Sequence, residues 1–139
     1  SHKETMGHWQ EIEHTADLAL HVWATDLADL FATAAQGMFA FIIGDETVAH
    51  THTLTIKLEA LDVETLLVDW LNELLYQTEV AGLAFTSITF ECLTPTHLVA
   101  EVHGGPISRY SRYVKAATFH NLAIIQTPEG YETEIVFDT

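Results

Sequence analysis

The stretch Asp62-Val63-Glu64-Thr65-Leu66-Leu67-Val68-Asp69-Trp70-Leu71-Asn72-Glu73-Leu74-Leu75 decides the fold class. Val63, Leu66, Leu67, Trp70, Leu71, Leu74 and Leu75 recur at three-and-four spacing, the period of a helix face packed on a core. Asp62, Glu64, Asp69 and Glu73 lie on the opposite face, and the first two suit the positive end of the helix dipole. Leu27, Leu30, Phe31, Ala34, Ala35, Met38 and Phe39 repeat the pattern, with Thr25 or Asp26 as N-cap and Gly44 past the end. Both helices are expected to cover one face of a sheet.

Outward from these helices the chain reads as strands. Leu18 to Trp23 precedes the first helix, and Thr51 to Glu59 alternates through Leu54, Ile56 and Leu58. Leu83 to Cys92 and Leu98 to His103 form a hairpin turned near Thr94-Pro95. Ala116 to Gln126 and Tyr131 to Phe137 form another, turned at Thr127-Pro128-Glu129-Gly130, where Pro presets φ and Gly accepts positive φ. The expected class is α+β, an antiparallel sheet with two helices packed on it. Strand-helix-strand occurs twice, which hints at a duplicated unit. No linker, repeat or low-complexity segment divides the chain, so residues 1–139 read as one domain, with Ser1-His2 resembling a tag remnant and 1–8 an unstructured start.

Composition narrows the function. The 139 residues are 48% hydrophobic, with 20 acidic side chains against 5 basic ones and a formal net charge of −15. Each phosphate gripped requires a Lys or Arg, so stable direct nucleic-acid binding is not expected. A basic partner or a cation fits that charge better. The lone cysteine, Cys92, excludes an internal disulfide and, at a strand end, reads as a packing residue. No apolar run reaches the ~20 residues that span a bilayer, and no secretion signal is visible, so no membrane is expected and cytoplasmic is the default reading.

Few residues carry chemistry on their own. His14-Thr15-Ala16-Asp17 places an imidazole and a carboxylate before a strand, which suits either a turn or a metal or acid–base site. Val136-Phe137-Asp138-Thr139 closes the sequence with clustered acidic oxygens; the readings are a solvated tail, or a hard-cation site if the last strand ends near Asp17. His50-Thr51-His52 could chelate a transition metal, yet no further ligand stands at a recognisable spacing. His120, beside Asn121, reads as a strand histidine. Arg109, Arg112 and Lys115 alternate with Tyr110 and Tyr113, either paired with the chain's own carboxylates or contacting a partner.

Taken in order, His14-Thr15-Ala16-Asp17, Leu30-Phe31 with Ala34-Ala35-Gln36-Gly37-Met38-Phe39, Leu66 to Tyr76, Val114-Lys115-Ala116-Ala117-Thr118-Phe119-His120-Asn121-Leu122, and Val136-Phe137-Asp138 resemble the archease family. The resemblance implies an SHS2-type α+β fold in which a second strand-helix-strand unit is inserted in the first. It implies a non-catalytic accessory factor of the RtcB-type tRNA-splicing ligase, promoting ligase guanylylation and multiple turnover. It places a divalent cation, calcium the usual occupant, on Asp17, Asp138 and Thr139. His14, Lys115 and His120 stand nearby in the matching words as second-layer or partner-contact residues. The alternative is a metal-dependent hydrolase that uses the same carboxylates around a cation.

Overall fold

In the computed structural model, residues 6–12 and 18–139 are described. The elements run β1 (His8–Ile12), β2 (Leu18–Ala24), α1 (Leu27–Ile43), β3 (His52–Glu59), α2 (Val63–Ala81), β4 (Leu83–Leu93), β5 (His97–Pro106), β6 (Ala116–Ala117), β7 (Ile125–Thr127) and β8 (Gly130–Asp138). The strands divide between two antiparallel sheets. One has the order β1-β2-β8-β6, with β7 also paired to β8; the other has the order β3-β5-β4. The second sheet, with α2, lies wholly between α1 and β6 in the chain, so one strand-helix-strand unit is inserted in the other, as the family resemblance implied.

Both helices start where the sequence placed them. Asp26 caps α1 by accepting from the Asp29 N–H at 2.8 Å, and Asp62 caps α2 by accepting from the Thr65 N–H at 2.8 Å. The Thr65 side chain and backbone hold the Asp62 carboxyl below the usual carboxylate range. Gly44 and Gly82, both at positive φ, close the two helices.

α1 is apolar nearly all round because it lies against both sheets. Phe41 meets Trp9 and Phe137 of the first sheet edge-on, at 6.1 and 6.3 Å between ring centroids. Phe31 and Phe39 face the second sheet, meeting Phe90 and Phe85 at 6.5 and 6.2 Å. Trp70 of α2 is fully buried, tilts over Phe90, and donates its indole N–H to the Phe31 carbonyl at 3.0 Å. That bond satisfies the one polar atom of the largest core side chain.

Asp29, in the first turn of α1, is buried and collects donors from three segments. The N–H groups of Met6 and Gly7 reach Oδ1 at 2.9 and 3.0 Å, and the Thr25 N–H reaches Oδ2 at 3.1 Å. The hydroxyls of Thr25 and Thr33 add longer bonds at 3.3 and 3.4 Å. The sequence reading put residues 1–8 in an unstructured start; Met6 and Gly7 are instead tied to this carboxylate, and His8 opens β1.

The last hairpin differs from expectation. The turn at Thr127–Gly130 is present, but Ala116 to Gln126 is not one strand. β6 ends after Ala117; the Thr118 N–H still makes one in-register bond to the Val136 carbonyl at 2.9 Å, and the Thr118 hydroxyl donates to the same oxygen at 2.9 Å. Asn121 then adopts φ +52, and the Leu122 N–H returns to the Phe119 carbonyl. β7 rejoins the same edge of β8 eight residues after Ala117, at Ile125. Among the described residues no helix is long and apolar enough to cross a membrane.

Removing the Asp29 carboxylate leaves three backbone N–H groups without their acceptor, so Asp29→Ala should cost about 3 kcal/mol, read as a lower urea midpoint at unchanged slope. A loss below about 1 kcal/mol would show that water replaces the acceptor. Asp69, half-buried on α2, has its carboxyl raised above the usual range by desolvation. A raised folded pKa means stability is lost as pH rises through the carboxylate range. Asp69→Asn should therefore melt higher than wild type at pH 7, and the gain should shrink as acid protonates the wild-type carboxyl.

Candidate metal centre at the end of the last strand

β8 is the middle of the first sheet, and its far end is where the acidic oxygens stand. The antiparallel register places Leu18 opposite Phe137, so the start of β2 lies beside the end of β8. On the other edge Ala116 pairs with Asp138, and the Lys115 N–H donates to the Asp138 carbonyl at 2.8 Å. Asp138 and Thr139 are exposed, and among the described residues the Asp138 carboxylate has no hydrogen-bond or ion-pair partner. Its backbone is held by Lys115 on the β6 side, while its side chain is uncommitted among the described residues.

The structure thus brings Lys115, Asp138 and Thr139 together. His14 and Asp17 lie outside the described residues. His120 is exposed in the turn that follows β6 rather than within a strand; its N–H donates to the Thr118 hydroxyl at 3.3 Å and its Nε2 lies 3.3 Å from the Asn121 amide. Among the described residues no three or more His, Cys, Asp or Glu side chains cluster closely enough to hold a metal. The donors that the described residues offer here are oxygens, those of the Asp138 carboxylate and of the flanking chain, a hard set of the kind Ca²⁺ or Mg²⁺ takes.

Asn72 is the residue that sequence reasoning missed. Its amide donates to the Ala117 carbonyl at 3.2 Å and accepts from the Ala117 N–H at 2.8 Å, so α2 holds both backbone groups of β6 as a neighbouring strand would. Glu64, in the first turn of α2, accepts from the Ile124 N–H at 3.2 Å. The segment from Val114 to Ile124 is therefore clamped between α2 and β8. The available signal was an asparagine set among the apolar positions of a helix, where a side-chain amide usually needs partners.

The remaining sequence candidates resolve differently. His50 precedes β3 and bonds the Thr86 hydroxyl at 2.8 Å, while His52 opens the strand and bonds the Thr51 hydroxyl at 2.9 Å. Cys92, expected to pack, is exposed; β4 shifts register between Phe90 and Cys92, which turns the thiol outward. Arg112 pairs with Glu11 at 2.9 Å and sits 5.6 Å over the Phe41 ring. Glu46 is held below the usual range first by the Ser108 hydroxyl, then by the Ser108 backbone, with Arg109 adding its charge. Two of the three clustered cations thus answer the chain's own carboxylates.

The likeness to known proteins extends over nearly the whole chain. It is 31% identical over 137 residues to the protein archease of Methanopyrus kandleri, covering 94% of this chain and 98% of that one. It is also 31% identical over 138 residues to the protein archease of Methanosarcina acetivorans, covering 94% of each. The solution structure of Methanobacterium thermoautotrophicum protein 1598 superposes with a TM-score of 0.75 at 25% identity, over 94% of this chain and 98% of that one. The crystal structure of an archease, possible chaperone, from Thermotoga maritima shares the fold at a TM-score of 0.68 and 22% identity, over 94% and 96% of the two chains. The model of the Archease protein family (MTH1598/TM1083) matches residues 9–139, and the chain belongs to that family.

Proposed function

We propose that this protein is a non-catalytic activator of an RtcB-type RNA ligase in tRNA splicing or RNA repair, promoting guanylylation and multiple turnover of the ligase. The observation that carries the reading is the uncommitted Asp138 carboxylate, fixed at the sheet end beside the start of β2, in a chain of the archease family. Asp17 is bonded to Leu18, whose register partner Phe137 precedes Asp138, so a ligand set of Asp17, Asp138 and an oxygen of Thr139 needs only the local chain to close. A divalent cation bound there, calcium by expectation, would neutralise the clustered carboxylates. Lys115 stands next to Asp138 as a partner-contact group, and His14 and His120 as outer positions on the two adjoining segments.

The charge supports an accessory role. A net −15 suits encounter with a ligase whose RNA-handling surface is basic, and steering of this kind accelerates association more than it adds affinity. The protein's own part is to present a fixed acidic edge. Asn72 and Thr118 hold the neighbouring strand and turn in place, so the edge need not order itself on docking.

Multiple-turnover RNA ligation by the cognate ligase should rise when wild-type protein is added. The rise should be lost with Asp138→Asn and with Asp17→Ala, each checked by circular dichroism for an unchanged fold. Stimulation retained by both variants would remove the carboxylates from the mechanism. Absence of stimulation with a competent ligase would overturn the activator reading, as would metal-dependent turnover of a small substrate by the isolated protein. In a calorimetric titration with CaCl₂, wild type should bind about one ion, and Asp138→Asn should weaken binding by at least ~10-fold because a hard cation loses one of its charged donors. Equal affinity in the two proteins would place calcium elsewhere.

A further inference from the structure

A groove of about 530 Å³ opens at the opposite end of the first sheet from Asp138. One wall is the segment Met6–His8 with Trp23 and Thr25 at the end of β2; the other is the β7–β8 turn, with Glu129, Tyr131 and Glu132. Along β8 the groove and Asp138 are separated by about 20 Å, counting six residues from Glu132 at ~3.3 Å each. The groove is therefore separate from the candidate metal centre.

Its chemistry is specific in sign. Among the described residues two carboxylates line it and no Lys or Arg does, which disfavours a phosphate or carboxylate ligand. Glu129 is exposed at the turn and, among the described residues, has no hydrogen-bond or ion-pair partner. Glu132 is engaged through one oxygen only, Oε2, which lies 2.9 Å from His21 Nε2. Aromatic surface adjoins both: His8 stacks on Trp23 at 4.4 Å and 18°, His21 leans on Trp23 at 4.2 Å and 33°, and Tyr131 lines the same wall as Glu129. Carboxylates beside π surface make the surroundings that a guanidinium fills, with two parallel N–H bonds to an oxygen pair and its flat face against a ring.

The groove is also built in advance. Asp29 ties Met6, Gly7 and Thr25 into one wall. On the other side Gly130, at φ +145, lets the turn lie against β2 so closely that a Cβ there would stand 2.2 Å from the Ala24 carbonyl oxygen. Neither wall has to move to accept a side chain.

We infer that this groove receives an arginine side chain from an exposed basic segment of a partner protein. The occupant is a guanidinium rather than a bare cation, because the donors are spread along an aromatic wall instead of converging on a point. The inference is independent of the ligase reading and of the metal centre, since it uses none of their residues.

The test is a titration of the full ¹⁵N-labelled chain with N-acetyl-arginine methylamide and, separately, with N-acetyl-lysine methylamide. Arginine should shift the Trp23 indole N–H and the amides of residues 129–132, and bind about fivefold tighter than lysine, the gain a stacked planar cation brings at an exposed site. Glu129→Gln should weaken the arginine probe by about fivefold, while Glu91→Gln, which removes an exposed carboxylate from β4 in the other sheet, should leave its affinity unchanged. Shifts scattered over the acidic surface, equal affinity for the two probes, equal weakening by both variants, or no shift at all would each overturn the inference.

Discussion

The buried carboxylate of Asp29 is the point on which the first sheet depends. α1 is enclosed by two sheets, so the chain reaching its start from β1 and from β2 must shed water from its backbone N–H groups. One side chain, placed in the first helical turn where negative charge is favoured, takes three of those groups at once. It thereby fixes where β1 begins, how β2 turns into α1, and one wall of the groove above them. Asn, neutral and of the same size, would keep one acceptor oxygen and turn an amide N–H₂ toward the donors on the other side.

How far the fold was legible follows from what kind of signal each element carries. The two helices were visible because their faces repeat and Asp26 and Asp62 cap them through side-chain oxygens, a local interaction that depends on spacing alone. The same periodicity exposed only one face of α1, the face with Phe31 and Phe39. Phe41 lies on the opposite side and packs on the first sheet, so the helix was read as covering one sheet when it lies between two. Alternation marks a strand without naming its partners, and for that reason the division into two sheets could not be read from it. The strand expected over Ala116 to Gln126 does not continue past the in-register bond of the Thr118 N–H to the Val136 carbonyl; Asn121, at φ +52, turns the chain there, and a single left-handed residue leaves no trace in hydropathy.

The candidate site was legible to a similar depth. The acid of Asp138 was visible in the sequence, and the register of Leu18 against Phe137 supplies the proximity to the start of β2 that the sequence could not. Asn72 was invisible because its role is long-range: it completes the hydrogen bonds of Ala117, 45 residues away. Through it α2 of the inserted unit holds β6 of the outer one, so the edge flanking Asp138 is set by both units together. The archease words at Leu66–Tyr76 and Val114–Leu122 are in this sense one structural feature read twice.

The distribution of the few cations sharpens what the charge means. Arg112 is held between Glu11 and the Phe41 ring, and Arg109 lends its charge to Glu46, so two of the three clustered cations are spent inside the molecule. Lys115 of that cluster has no ion pair among the described residues, and its backbone N–H bonds the Asp138 carbonyl. At the other end of β8, Glu129 and Glu132 face a groove whose described lining holds no Lys or Arg. An excess of acid that is balanced over the loop from Ser108 to Arg112 and unbalanced at both ends of one strand is not a uniform solvated coat. Glu129 and Asp138, exposed and without a partner among the described residues, leave each end of β8 open to opposite charge arriving from outside. The two ends differ in what they can accept: bare oxygens at Asp138 suit a metal ion, whereas carboxylates along an aromatic wall suit a planar organic cation.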